Sequence, residues 1–272
     1  MIFSDLMSFL IILLYGLGAF GSLAGIRPGK EGLRRLAALL TLAGFCLHTL
    51  LILVLLLTQN MEDLGRGCLL QLMSWCVLLV YIAGWRFLKL SFLAFSAAPL
   101  ALILYVAALG AGDAQVVLPS RFSGLFFLLH IGAFFFSYAF LAAGSGAALL
   151  FLHMEHKLKN RLAFSEFDRE LPAIATFDTV NRLAVTIGFP LFTLGLVSGF
   201  AWARGVWGST VSFDPKEILS FIIWFAYAVL FHQRLAVGWR GRKTAWMLLF
   251  VFALSLASIG INFFTDSHHR FF

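Results

Sequence analysis

The chain has 272 residues, 61% of them hydrophobic and only 12% charged, with a formal net charge of +7. That balance excludes a soluble globular domain and marks an integral membrane protein. The positive charge follows from loop placement, as shown below, and gives no reason to expect a nucleic-acid partner.

Roughly 20 apolar residues cross a bilayer. Charge-poor stretches of that kind fall near 6–26, 36–57, 67–85, 90–110, 122–152, 183–203, 218–233 and 244–264, which predicts eight spans. The first lacks a basic leader and a clean small-residue cleavage site, so it reads as a retained span. The second carries His48 past its middle, toward the outside. Both a hydrogen-bonded structural role and a ligand role are open for it. Cys46, Cys68 and Cys76 form no C-x-x-C pair and read as small core residues. Pro99 and Pro190 fall inside spans and each removes a backbone hydrogen bond there.

The fifth stretch, Phe122 to Leu152, is uncharged over thirty-one residues. As a helix it would reach ~46 Å against a hydrocarbon core of ~30 Å, so it should tilt or project. Phe126, Phe127, Phe134, Phe135, Phe136 and Phe140 stud it, which reads as lipid contact or helix packing. His130 sits in its outer third. Gly144, Gly146, Gly195 and Gly199 permit close helix approach. The segment near 153–182 has mixed charges broken by Leu158, Leu162, Phe164 and Phe167, and predicts a helix lying on the membrane surface. His153 and His156 at its start read as interfacial residues.

Basic residues concentrate in cytoplasmic loops. With the N-terminus outside, the inner loops hold Arg27, Lys30, Arg34, Arg35, Arg86, Lys89, Lys157, Lys159, Arg161, Arg169, Arg182, Arg234, Arg240, Arg242 and Lys243. These are fifteen of the twenty Lys and Arg. Both termini are therefore predicted outside. The expected fold is an all-α polytopic bundle forming a single membrane domain over 1–272.

Ligand-competent residues within spans are costly and are functional candidates by default. His130, His268 and His269 come to the outer face. The polar loop Trp207–Glu217 lies on that side too. His232 follows Glu217 by fifteen residues, ~22 Å deeper along a helix, and approaches the cytoplasmic face. Neutral imidazole is a good ligand for haem iron, so an outer pair and a deeper single histidine could serve a porphyrin. The histidines lack the spacing of a zinc motif, and isolated structural roles stay open. A small-molecule transporter is a third reading, weakened by sparse midplane polar residues and the absence of an inverted repeat.

The ordered motifs carry a resemblance. Trp207-Gly208 through Phe213-Asp214-Pro215-Lys216-Glu217 is similar to the tryptophan-rich W-G-x-x-W-x-W-D-P-K-E loop of the cytochrome c assembly family. Leu171-Pro172, Asp178, Gly188-Phe189-Pro190-Leu191 with Thr193 and Gly195, Leu230 to Leu235, Gly238-Trp239-Arg240-Gly241, and Gly260-Ile261-Asn262 with His269 resemble further family motifs in order. Leu129-His130 with Ser137-Tyr138-Ala139 resembles its L-H…S-Y-A stretch. The likeness covers about 120–272 well and 45–105 loosely. It includes CcsA-type haem-delivery proteins (also called ResC-type) and shorter HemX-type relatives.

The resemblance implies a haem-handling protein of the bacterial cytoplasmic (inner) membrane that presents haem at the outer face to apocytochrome c. It implies haem b as cofactor and a CcsB/ResB-type membrane subunit as partner within a haem-attachment synthetase. It also implies His130 and His269 as outer axial ligands, with His268 as a fallback for His269, and His232 as the membrane ligand. Trp207, Gly208, Phe213 and Asp214 would cradle the porphyrin. No catalytic residue is assigned. Val211 and Phe213 stand where the family has tryptophan, and this departure suits a HemX-type regulator of haem biosynthesis as the alternative.

Overall fold

The structure, a computed structural model, describes residues 2–25, 29–58, 65–111, 123–207 and 215–261. The elements in chain order are α1 (Ile2–Ala24), α2 (Glu31–Thr58), α3 (Arg66–Leu88), a 3₁₀ turn (Ser91–Leu93), α4 (Ala94–Gly110) and α5 (Ser123–Phe126). A π-helical segment (Phe127–Gly132) follows, then α6 (Ala133–Lys159), α7 (Glu166–Glu170), α8 (Ile174–Trp207), α9 (Pro215–Leu235) and α10 (Arg242–Ile261). Eight of these runs are long and apolar enough to cross a bilayer, as the sequence predicts. Large side chains such as Phe20, Leu57, Phe87, Val197 and Phe225 point outward from them, at 71, 85, 78, 59 and 65% exposure. Such flanks are stable only against lipid.

Helices run further than their apolar stretches. The fifth span continues inward to Lys159, and the sixth begins at Ile174 rather than near 183. Counting apolar residues reads only the hydrocarbon-facing part, whereas a helix continues into the interface, where long polar side chains reach water. The segment between these spans therefore contains only a five-residue helix in place of the longer surface helix expected. Ser165 caps α7 and Asp168 returns the bond, a reciprocal capping box. The helix stops at Leu171, which precedes Pro172 and is held extended at φ −69°, ψ 146°, the conformation that a following proline imposes.

The described residues form two compact units. The first contains residues 1–115 and 156–173, and is built on α1–α4. Its core includes Ile11, Tyr15, Leu69, Leu70, Leu78 and Tyr105. The Ser74 hydroxyl donates to the Ala101 carbonyl at 2.8 Å, tying α3 to α4. Lys157 pairs with the buried Asp168, and Arg34 of α2 pairs with Glu170 of α7.

The second unit contains residues 116–155 and 174–272. Leu141, Val185, Phe192, Tyr227, Leu248 and Val251 form its core, each essentially inaccessible. Side chains from neighbouring helices bond onto α8 along its length. Tyr227 donates to the Ala184 carbonyl at 2.7 Å, Ser137 to the Gly188 carbonyl at 2.8 Å and the Trp224 indole to Thr193 Oγ1 at 3.1 Å. Interhelical polar bonds of this kind add register to packing that is otherwise van der Waals contact. The sequence reads glycine 238 and glycine 241 only as motif letters. Both adopt positive φ, 80° and 65°, in the turn from α9 to α10, where a side chain would be strained.

Candidate functional site

His130 occupies the π-helical segment. Such segments are rare and cluster at functional sites, because the extra residue re-aims the side chains of one turn. Its Nδ1 donates to the Gly195 carbonyl of α8 at 2.7 Å. A carbonyl only accepts, so in the neutral ring the proton is on Nδ1 and the lone pair on Nε2. A bond of this kind fixes the tautomer and orientation of an imidazole ring. The ring also meets Phe134 edge-on at 5.1 Å.

The close approach depends on two glycines one turn apart. A methyl on Gly199 would overlap the His130 imidazole, and one on Gly195 would press on the Phe134 ring. The sequence marks both glycines for helix packing. The structure shows that what packs into their groove is the histidine and its aromatic neighbour. Phe200 stacks on Phe221 of α9 at 5.0 Å at the same level. Gly199 lies eight residues before Trp207, ~12 Å along the helix. His130 is thus at the end of the unit where α8 finishes and α9 begins.

Trp207 is the last residue of α8. Gly208, Val211, Phe213 and Asp214, together with His268 and His269, lie outside the described residues. Pro215 opens α9, the position where its missing N–H is no loss. Glu217, in its first turn, is 6% exposed, and a carboxylate there suits the positive end of the helix dipole.

His232 is in the last turn of α9 and exposed on its flank. Eleven residues of α9 separate it from Phe221, so it lies ~16 Å from the level of His130. The structure keeps these two histidines at separate depths. Between them runs an unbroken line of ring contacts. Phe134 meets Phe192 at 4.9 Å, Phe192 meets Tyr227 at 6.2 Å, Tyr227 meets Phe189 at 5.7 Å, and Phe189 meets Phe231 at 4.8 Å.

Beside His232, Arg234 and Asp178 form a fork-to-fork ion pair at 2.8 and 2.7 Å. Arg234 also donates to the Trp239 carbonyl at 2.9 Å, and the Gly241 N–H donates to Asp178 at 3.0 Å. The Arg234 side chain is 4% exposed and that of Asp178 21%. This hub fixes the rotation of α9 and hence the direction of His232. The sequence shows both charges within motifs and gives no sign of their pairing. The signal available was that opposite charges near span ends pair with one another.

His48 is elsewhere, in the first unit, fully buried. Its Nδ1 and the Tyr15 hydroxyl share a hydrogen bond of 3.0 Å, and the Tyr105 ring meets it edge-on at 4.8 Å. His153 and His156 are exposed, as interfacial residues should be. Among the described residues no three His, Cys, Asp or Glu side chains gather as a metal cluster. Haem iron needs no such cluster, since the porphyrin supplies four of its ligands.

Eight apolar helices with polar cross-bonds define a polytopic helical membrane protein. Within that class the sequence is specific: residues 67–269 match the Cytochrome C assembly protein family, and the chain belongs to it. It is similar to "Cytochrome c biogenesis protein CcsA" of Synechococcus sp. (strain RCC307), 33% identical over 165 residues that cover 53% of each chain. The protein of that name from Mesostigma viride is 25% identical over 227 residues, 74% of each chain. That from Chlamydomonas reinhardtii is 29% identical over 237 residues, 81% of this chain and 65% of the relative. The chain spans about half the length of the Synechococcus relative. The family match begins at the start of α3, so it includes the stretch where the sequence resemblance is loose as well as the part near 120–272.

Proposed function

We propose that this protein works in cytochrome c biogenesis by binding haem b at the outer end of its second unit and presenting it to apocytochrome c. The observation that carries the reading is the His130 Nδ1–Gly195 bond. In the neutral ring it leaves the lone pair on Nε2, at the end of the unit where α8 finishes and α9 begins, and the chain between those helices is the stretch that the family resemblance connects with haem. His269 is the proposed second axial ligand, with His268 as its fallback, and Trp207, Gly208, Phe213 and Asp214 the proposed cradle. His232, at its separate depth, is proposed to meet haem lower in the membrane. Haem supplies the iron that the imidazoles hold and the vinyl edge that reacts with the apocytochrome. The chain's own residues hold the ring, orient the ligand and shield it with Phe134.

The reading includes the bacterial cytoplasmic membrane, both termini outside, the two units acting as one membrane domain, and a CcsB/ResB-type partner subunit. Protein purified in detergent should show a low-spin b-type spectrum that His130→Ala or His269→Ala shifts or abolishes. A wild-type spectrum in the double variant would reject the ligand assignment. Val211 and Phe213 favour a second reading, a HemX-type regulator of haem biosynthesis, because the loop has lost two of the family's stacking surfaces. If restoring tryptophan at both positions leaves haem occupancy unchanged and Trp207→Ala does so too, the regulator reading gains.

A further inference from the structure

Away from these histidines, the first unit has a cavity of about 550 Å³ at the end where α2 begins, α3 finishes and α7 lies. Its volume is within the range of small-molecule sites, which combine an apolar body with a few placed polar groups. Most of the lining is apolar, with the hydroxyls of Ser22, Thr41, Tyr81 and Ser91 set into it. The Ser22 and Thr41 hydroxyls that reach it already donate to carbonyls of their own helices, at 2.8 and 2.9 Å. Trp85, Phe95 and Phe167 supply aromatic wall. Leu39 lines the cavity and is also 60% exposed on the outer flank of α2, so the cavity reaches the lipid-facing surface.

The charges are confined to the mouth. Arg34 and Glu170 are paired with each other. Glu31 and Arg35 also line the cavity. They are one helical turn apart on α2, and neither side chain makes an ion pair or hydrogen bond among the described residues. The mouth therefore offers one carboxylate and one guanidinium beside a neutralised pair. A dicarboxylate such as a porphyrin would bring its second charge toward Glu31 or Glu170. A phosphate carrying a short amine matches both signs, with phosphate on Arg35 and ammonium on Glu31.

We propose that this cavity binds a phospholipid with a phosphoethanolamine headgroup, one acyl chain on the mostly apolar floor and the headgroup between Glu31 and Arg35. The basic residues around this end place it at the cytoplasmic leaflet.

Native mass spectrometry of full-length protein, extracted in mild detergent from cells containing phosphatidylethanolamine and phosphatidylglycerol, tests it. Retained phosphatidylethanolamine should exceed its share of the bulk membrane. Arg35→Gln should lower phospholipid occupancy about five- to tenfold, the worth of one charge-assisted contact. Glu31→Gln should keep occupancy but equalise the two lipids, since the ammonium loses its partner. Ala38→Phe should block the floor and lower occupancy without altering the mouth. Helical circular dichroism and a monodisperse elution profile check that each variant folds. Bound lipid matching the bulk ratio in wild type, equal retention in all four proteins, or a porphyrin lost on Arg35→Gln would each overturn the proposal.

Discussion

His48 and His130 each lie within a helical run, one in each compact unit, and their surroundings differ in kind. His48 is sealed between two tyrosines, and its Nε2 is buried with no hydrogen-bond partner. His130 is only partly buried, held through Nδ1 to a backbone carbonyl in a groove cut by glycines. A histidine that must offer Nε2 to a ligand needs the second arrangement. The first orders a core. The same residue type in the same kind of apolar sequence thus has two unlike settings, and the neighbours decide which.

The largest effect should come from the hub that fixes the second unit. Arg234→Met leaves the Asp178 carboxylate without its partner, a loss of about 3 kcal/mol for a largely buried pair. Thermal unfolding in detergent should register it, and the double variant Asp178→Leu/Arg234→Met should lose less than the single. Equal losses would mean the pair does not act as a unit. Next, Gly199→Ala should push the His130 ring from its seat at about 1–3 kcal/mol of overpacking. It should also remove the haem spectrum from protein that is still folded. An unchanged spectrum would mean that the glycine groove does not set the ligand.

His48→Leu should do the reverse. It removes one interhelical bond and one orphaned nitrogen, a net change within about 1 kcal/mol, while the haem spectrum stays as in wild type. A spectral shift would make His48 a ligand and erase the contrast between the units. The smallest effect is expected at Trp224→Phe, which removes the bond to Thr193 and should cost about 0.6 kcal/mol. A melting shift as large as that of Arg234→Met would show that the cross-bonds, rather than the ion pair, hold α9 in place.

Much of the architecture was legible in the sequence because hydrocarbon imposes length and polarity on every span. The eight spans were read from runs of Leu, Ile, Val and Phe. The inner segment was misjudged because charge marks where a helix leaves hydrocarbon, not where it ends. Lys157 and Lys159 continue α6, and Asp178 and Arg182 belong to α8. His130, Gly195 and Gly199 could each be singled out, yet their meeting depends on the register of α8 against the π-helical turn. Periodicity within one helix does not encode that register. The pairing of Asp178 with Arg234, fifty-six residues apart, was hidden for the same reason.

That pair also bears on how the molecule is made. Asp178, near the interfacial start of α8, is synthesised fifty-six residues before its counter-charge. The hub is complete only when the α9–α10 turn has emerged, since Trp239 and Gly241 supply two of its bonds. Until then the Asp178 carboxylate lacks the guanidinium that it meets in the finished fold. The second unit therefore reaches its full set of hub bonds only when the last hairpin docks.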